Sequence, residues 1–334
     1  MNRGIGEGDM KLAYELEWRI SDKWLHAGQL GIEHAVCMSW PGEDYPFWDF
    51  MEFAKLKQRY ADYGLNLAVI EAMLPLDEIR EGGPSRDREI DKTCRIIGNM
   101  GALGIPVFCY NWMTRIGWLR TSFRIPARGG SEACGFDESL IRNSPDAGDS
   151  LVSRDTLWET LEYFLKKVVP VAEKAGVRLA MHPDDPPLPS VAGVGRIMGS
   201  VSAFERLLSL SDSEANGITF CQGNFALMEG DLYENIHRLV KTGRVYFAHF
   251  RNLRGDARKF EETFHDNGQI DMHRAMKAYL DAGFDGYMRC DHVPAMAGDD
   301  QGAYPGYAAL GKLFAIGYMK GLIDGLPQAE RGVR

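Results

Sequence analysis

Eight short apolar runs, each followed by a stretch that can form a helix, set the limits on what this chain can become. The runs cover residues 11–16, 32–38, 65–70, 105–110, 177–181, 218–221, 244–249 and 286–291. Runs of this length, bounded by glycine, proline and polar clusters, read as strands. Between them, residues 47–63, 86–103, 153–175, 202–210, 232–241 and 272–282 carry apolar side chains at helical spacing, and Ser21-Asp22-Lys23 looks like a helix start. A terminal helix is expected from Tyr307 to Gly325. Gly64 and Gly104 stop two of these helices. Strands alternating with helices imply parallel strands joined by helical crossovers. Eight such units in 334 residues favour a closed (β/α)8 barrel, the TIM-barrel class of α/β folds, over an open sheet. No linker divides the chain, so one domain over residues 1–334 is expected, with a loose start at 1–9 and a loop at Pro41-Gly42. The segment 113–148 has no clear period and is rich in Arg, Gly, Ser and Trp. A long inserted loop of this kind is usually functional, so a lid or an assembly arm is expected there.

The bulk properties exclude several classes. The net charge is −9 and no Lys/Arg block forms a basic face, which argues against nucleic acid as a partner. No run reaches the roughly 18 apolar residues of a membrane span, and no apolar signal core is evident at the start. The six cysteines show no C-x-x-C spacing. They read as reduced thiols of a cytoplasmic protein.

The ends of the strands carry the chemistry. The run 177–181 stops at His182, because Pro183 lacks a backbone N–H and an acidic, proline-rich loop follows. Three later runs end in the same way, at Cys221, His249 and Asp291. In a barrel the C-terminal strand ends converge on the ligand site. Imidazole, thiolate and carboxylate all donate a lone pair to a divalent cation. One such side chain at a strand end is usually a core residue, and Asp291 alone could cap a helix. Donors at four consecutive strand ends point to a metal centre. Ligand softness favours zinc, while the carboxylate also suits iron(II) or manganese.

At these residues the chain resembles the D-mannonate dehydratase family of the xylose-isomerase-like barrels. The resemblance rests on His182-Pro183-Asp184-Asp185-Pro186-Pro187, Ala215-Asn216-Gly217-Ile218-Thr219-Phe220-Cys221 and Phe247-Ala248-His249-Phe250-Arg251-Asn252. Val69-Ile70-Glu71, Arg86-Asp87, Cys109-Tyr110-Asn111 and Asp291-His292 add to it. It implies a hydro-lyase, a metal-dependent dehydratase of D-mannonate that yields 2-keto-3-deoxy-D-gluconate in hexuronate catabolism. It implies His182, Cys221, His249 and Asp291 as ligands, His292 and Tyr307 as catalytic residues, and manganese or iron(II) as the metal, ahead of zinc or magnesium. The chain departs from the family pattern at Thr114-Arg115-Ile116-Gly117-Trp118, where an acid is missing, at Cys221-Gln222-Gly223-Asn224 and at Asp291-His292-Val293. These departures are expected to face the substrate and to change which aldonate is preferred.

Dehydration needs a base for the proton α to the carboxylate and an acid for the departing β-hydroxyl. His292, next to Asp291, suits either role, with Tyr307 as its partner. Arg251 and Asn252 follow His249; a guanidinium binds a carboxylate through two parallel bonds, so this pair is expected to anchor the sugar acid. Glu71 and Asn111 end strands three and four and should line the pocket. Asp184 and Asp185 are expected to cap their loop. The expected partners are a small-molecule sugar acid and further copies of the chain, as a homodimer or larger homo-oligomer. A sugar isomerase or epimerase is the main alternative, although such sites use two strand-end glutamates and only Glu71 is evident. A barrel endonuclease would need a positive groove. A non-enzymatic, metal-containing sugar-acid-binding protein is the third.

Overall fold

A computed structural model of the chain describes residues 10–39, 46, 48–71, 76–142, 144, 152–300 and 304–326. The barrel strands, numbered here on their own, are β1 (Lys11–Leu16), β2 (His34–Cys37), β3 (Asn66–Ile70), β4 (Val107–Tyr110), β5 (Arg178–Met181), β6 (Asn216–Cys221), β7 (Val245–Phe250) and β8 (Tyr287–Cys290). They pair in sequence order, all parallel, and β1 closes the barrel on β8 with Lys11 opposite Tyr287 and Leu12 opposite Met288. This is the (β/α)8 barrel that the alternation implied.

The side-chain period of two divides each strand between two cores. In β2, Ala35 and Cys37 pack outward into the large core beneath the helices, while Val36 joins a separate cluster with Ala13, Ala68, Val107, Ala180 and Phe247. Strand β6 is buried along its whole length, as a parallel strand covered on both faces must be. The helices follow the expected periods, at Phe50–Ala61, Arg86–Ala102, Arg154–Ala175, Val201–Ser209, Leu232–Val240, Met272–Asp281 and Ala309–Gly325. The helix expected from residue 47 begins at Phe50, because the Asp49 carboxylate accepts the Glu52 N–H at 3.1 Å and caps it. No described helix is long and apolar enough to cross a membrane.

The segment 113–148 corrects the expectation of a loop. Ser122–Pro126 and Glu132–Asp137 are antiparallel strands. Glu132–Asp137 pairs with Lys259–Thr263, which pairs with Asn252–Asp256, giving a four-stranded antiparallel ribbon beyond the barrel. Its apolar underside, Phe136, Leu253 and Phe260, packs on Leu188 and Val191 from the loop after β5. The expected loose start, the Pro41-Gly42 loop and the far end of 113–148 lie outside the described residues.

Candidate active site

A cavity of about 510 Å³ opens at the C-terminal mouth of the barrel, a volume suited to a small molecule. Glu71, Asn111, His182, Asp291, His292 and Tyr307 all line it.

Beneath the cavity the donor atoms converge. Donor atoms of His182, Cys221 and His249 lie within 4.8 Å of one another. The facing atoms His182 Nε2 and His249 Nδ1 are 3.2 Å apart. Asp291 Oδ2 lies 3.5 Å from Cys221 Sγ and 3.9 Å from His249 Nδ1. His182 Nδ1 sits 2.7 Å from the Pro183 carbonyl, so it carries the proton and leaves the Nε2 lone pair facing the other donors. Burial pushes the His182 pKa down, keeping the ring neutral as a ligand must be. Asn224 Nδ2 donates to Cys221 Sγ at 3.3 Å. His249 Nε2 is buried without a hydrogen bond, 3.2 Å from Glu71 Oε1. The two imidazoles and the thiol form one grouping that fits a divalent cation, and the Asp291 carboxylate lies beside it. Glu71, Cys109 and His249 form a second possible grouping. It offers one imidazole where the first grouping offers two, and Arg289 holds both Glu71 oxygens, at 2.7 and 2.9 Å.

Around the donors runs a buried network of ion pairs. Arg289 Nη1 also bonds Asp291 Oδ1 at 2.9 Å. Burial would raise the Glu71 pKa, but the Arg289 guanidinium and the neighbouring His249 side chain hold it well below the usual carboxylate range. Arg251 reaches Asp185 Oδ2 at 2.9 Å, Glu262 Oε1 at 2.5 Å, Asn224 Oδ1 at 3.0 Å and Asp291 Oδ2 at 3.0 Å. Arg120, from the inserted segment, holds Asp185 at 2.6 Å and Glu262 at 2.5 Å.

His292 Nε2 lies 3.1 Å from the Tyr307 hydroxyl, and Trp118 covers the imidazole with ring centroids 5.1 Å apart. Two glycines make room for this packing. Gly306 adopts φ +84°, and a Cβ there would come within 3.1 Å of His292. A Cβ on Gly223 would stand 2.3 Å from Arg251 Nε.

Several expectations do not survive this geometry. Arg251 is fully buried and committed to protein groups, so it has nothing to offer a substrate carboxylate. Asn252 is buried too; its amide donates to the His265 and Ile270 carbonyls and accepts from the Leu253 and Ile270 N–H groups. Neither residue lines the cavity. Asp184 does brace its loop, accepting the Met198 N–H at 2.7 Å, but Asp185 is an ion-pair partner. The departures at Gln222, Asn224 and Val293 also turn away from the cavity. Gln222 donates to the Arg251 carbonyl, Asn224 supports Cys221, and Val293 packs near Gly311. Sequence reasoning missed Arg289, Arg120, Glu262 and Trp118. Only Arg289 left a signal, a charge inside a buried run, which calls for a buried partner.

The fold and this donor set define a class, the (β/α)8 barrels with a cation-competent centre at the mouth. A family model described as D-mannonate dehydratase matches residues 22–150 and 147–332. A mannonate dehydratase of Streptococcus pneumoniae is 35% identical over 324 residues, covering 89% of this chain and 87% of that protein. One of Thermotoga maritima is 36% identical over 319 residues, covering 85% and 88%. The crystal structure of mannonate dehydratase from Streptococcus suis superposes with a TM-score of 0.85 at 32% identity, over 98% of this chain and 96% of that one. The chain belongs to the D-mannonate dehydratase family, a family of metal-dependent hydro-lyases, and is an enzyme of the lyase class. Sugar epimerases such as the D-psicose 3-epimerase of Clostridium cellulolyticum share the fold alone, with a TM-score of 0.60 at 13% identity, so the isomerase alternative is not favoured.

Proposed function

We propose that this enzyme dehydrates D-mannonate, or a closely related aldonate, to the 2-keto-3-deoxy acid, with manganese or iron(II) held by His182, Cys221, His249 and Asp291. The observation that carries the reading is the grouping of His182, Cys221 and His249, with Asp291 beside them, at a cavity that also presents His292 and Tyr307. When bound, the cation supplies Lewis-acid stabilisation of the negative charge that develops as the α-proton leaves. The chain supplies the proton transfers. His292 and Tyr307 share a hydrogen bond, so one can take the α-proton while the other protonates the departing β-hydroxyl, which leaves as water. Trp118 packs beside the imidazole, its ring centroid 5.1 Å away. In this reading the reaction belongs to hexuronate catabolism in the cytoplasm, and a homo-oligomer remains the expected assembly.

Protein purified without chelator is expected to carry one divalent cation per chain by elemental analysis. Cys221→Ser should weaken that binding and leave the circular dichroism of the barrel unchanged. A chain that takes up no manganese, iron(II) or zinc on addition would remove the metal centre from the reading.

Because most of the departures face away from the cavity, D-mannonate is the expected preferred acid. With manganese present, its kcat/KM should exceed roughly 10⁴ M⁻¹s⁻¹ and exceed those of its epimers and of shorter aldonates. A product that is an isomer of the substrate would refute the dehydratase assignment, and a preferred epimer would refute the choice of substrate.

A further inference from the structure

The ribbon sends one acidic side chain into the catalytic pair. Glu262 lies on Lys259–Thr263, opposite Leu253, on the same buried face as Phe260, and is 2% exposed. One of its oxygens, Oε1, gathers four donor contacts. His292 Nδ1 lies at 2.7 Å, Arg251 Nη1 at 2.5 Å, and Arg120 Nη2 and Nε at 2.5 and 3.0 Å. We propose that Glu262 positions His292 for proton transfer: its carboxylate fixes the tautomer and the ring orientation of the imidazole, and Arg120 and Arg251 hold that carboxylate in place. The inference rests on the reading of His292 as a proton-transfer residue.

His292 Nδ1 has two close neighbours, and they decide its role. Arg251 Nη1 lies 3.0 Å from it, and Glu262 Oε1 is closer, at 2.7 Å. If Nδ1 were a bare acceptor for Arg251, its lone pair would face the nearer carboxylate oxygen. If Nδ1 carries the proton, imidazole and guanidinium both donate to the one oxygen between them, and their mutual approach follows from sharing it. The second arrangement satisfies all three groups. Burial alone would raise the Glu262 pKa, but Arg120 and the His292 side chain pull it down to about 2, so the acceptor is an anion. With Nδ1 protonated, the Nε2 lone pair points at the Tyr307 hydroxyl, 3.1 Å away. Nε2 then accepts from the phenol and is the ring nitrogen that can receive a proton.

Without the carboxylate, Arg251 would be the nearest group to Nδ1, and it can only donate. The imidazole would then favour the other tautomer, with the proton on Nε2 facing Tyr307, and both partners would start in the wrong state. The inserted segment thus has a use at the site, because Arg120 is one of the two groups that hold Glu262.

The test is Glu262→Gln, alone and combined with His292→Asn. The single variant should lose at least about tenfold in kcat with KM near wild type, an effect of the kind produced when the acid of a catalytic triad becomes an amide and the wrong tautomer results. On the His292→Asn background the same substitution should cost almost nothing further. Two-bond ¹H–¹⁵N correlations of the metal-free protein give an activity-independent readout: the His292 proton should sit on Nδ1 in wild type and on Nε2 in the variant. Glu262→Asp, which keeps the charge for both arginines but draws the oxygen back from Nδ1, should fold even if the amide variant does not, with the same loss in kcat. Near-normal kcat in a folded variant, an unchanged tautomer, or an undiminished loss on the His292→Asn background would overturn the inference. If His292→Asn itself left turnover intact, the proposed role of His292 would fall, and the tautomer measurement would still decide the role of Glu262.

Discussion

His292→Asn is expected to keep its cation and its fold and to lose at least about a hundredfold in turnover, the low end of what general acid–base catalysis contributes. Asparagine can still bond Glu262 where Nδ1 did, but it has no basic nitrogen to set against Tyr307. The loss should appear in kcat and kcat/KM together, because the missing interaction belongs to the transition state. Tyr307→Phe should resemble it, since the phenol is the partner of Nε2 at 3.1 Å. Steady-state kinetics with metal content measured on the same samples would decide. Turnover within about threefold of wild type would place the proton transfers elsewhere.

The second large effect concerns stability. Arg251→Met should destabilise the protein by about 3–5 kcal/mol, because removing one partner of a buried ion network leaves charges with no compensation. Arg251 serves Asp185, Glu262 and Asp291, all of them buried. Arg251→Lys should recover only part of the loss, since a point charge cannot span three carboxylates as a planar fork can. Urea unfolding in the presence of chelator would isolate this from stabilisation by a bound cation. A shift below about 1 kcal/mol would mean that solvent enters and replaces the arginine. The same network predicts the acid limit. Glu262 is held near 2 in the folded chain against about 4.3 when unfolded, so its contribution is complete above that range and is lost as pH falls from about 4 towards 2.

Local patterns made the barrel legible. Each strand is a short apolar run, a helix stretch lies between each strand and the next, and parallel pairing then follows from chain order. The strand-end positions of the four candidate ligands were legible for the same reason. The ribbon was not legible. Glu132–Asp137 finds its partner in Lys259–Thr263, far along the chain, and Ser122–Pro126 is largely exposed, so neither shows a clean alternation. The roles expected of Arg251 and Asn252 failed because neighbourhood in sequence is not exposure. After β7 the chain enters the ribbon strand Asn252–Asp256 at once, which leaves both residues under cover. Glu262 had no local signal at all, as its meaning depends on Arg120, Arg251 and His292, which come from three other parts of the chain.

The pairing of β1 with β8 has a consequence for the order in which the molecule comes into being. The first strand to leave the ribosome waits for the last, and the barrel has no closed wall until β8 arrives. Asp291, His292 and Tyr307 all follow β8, so they emerge later still. His182, Cys221 and His249 can be in place on a nascent chain that still lacks Asp291 and the proposed catalytic pair. Long-range closure of this kind is slow, because the loop entropy is lost before the contacts that reward it are made. Until then a nascent chain holds these three side chains without Asp291. That is the stage at which a thiophilic ion could be captured in place of the one the finished enzyme uses.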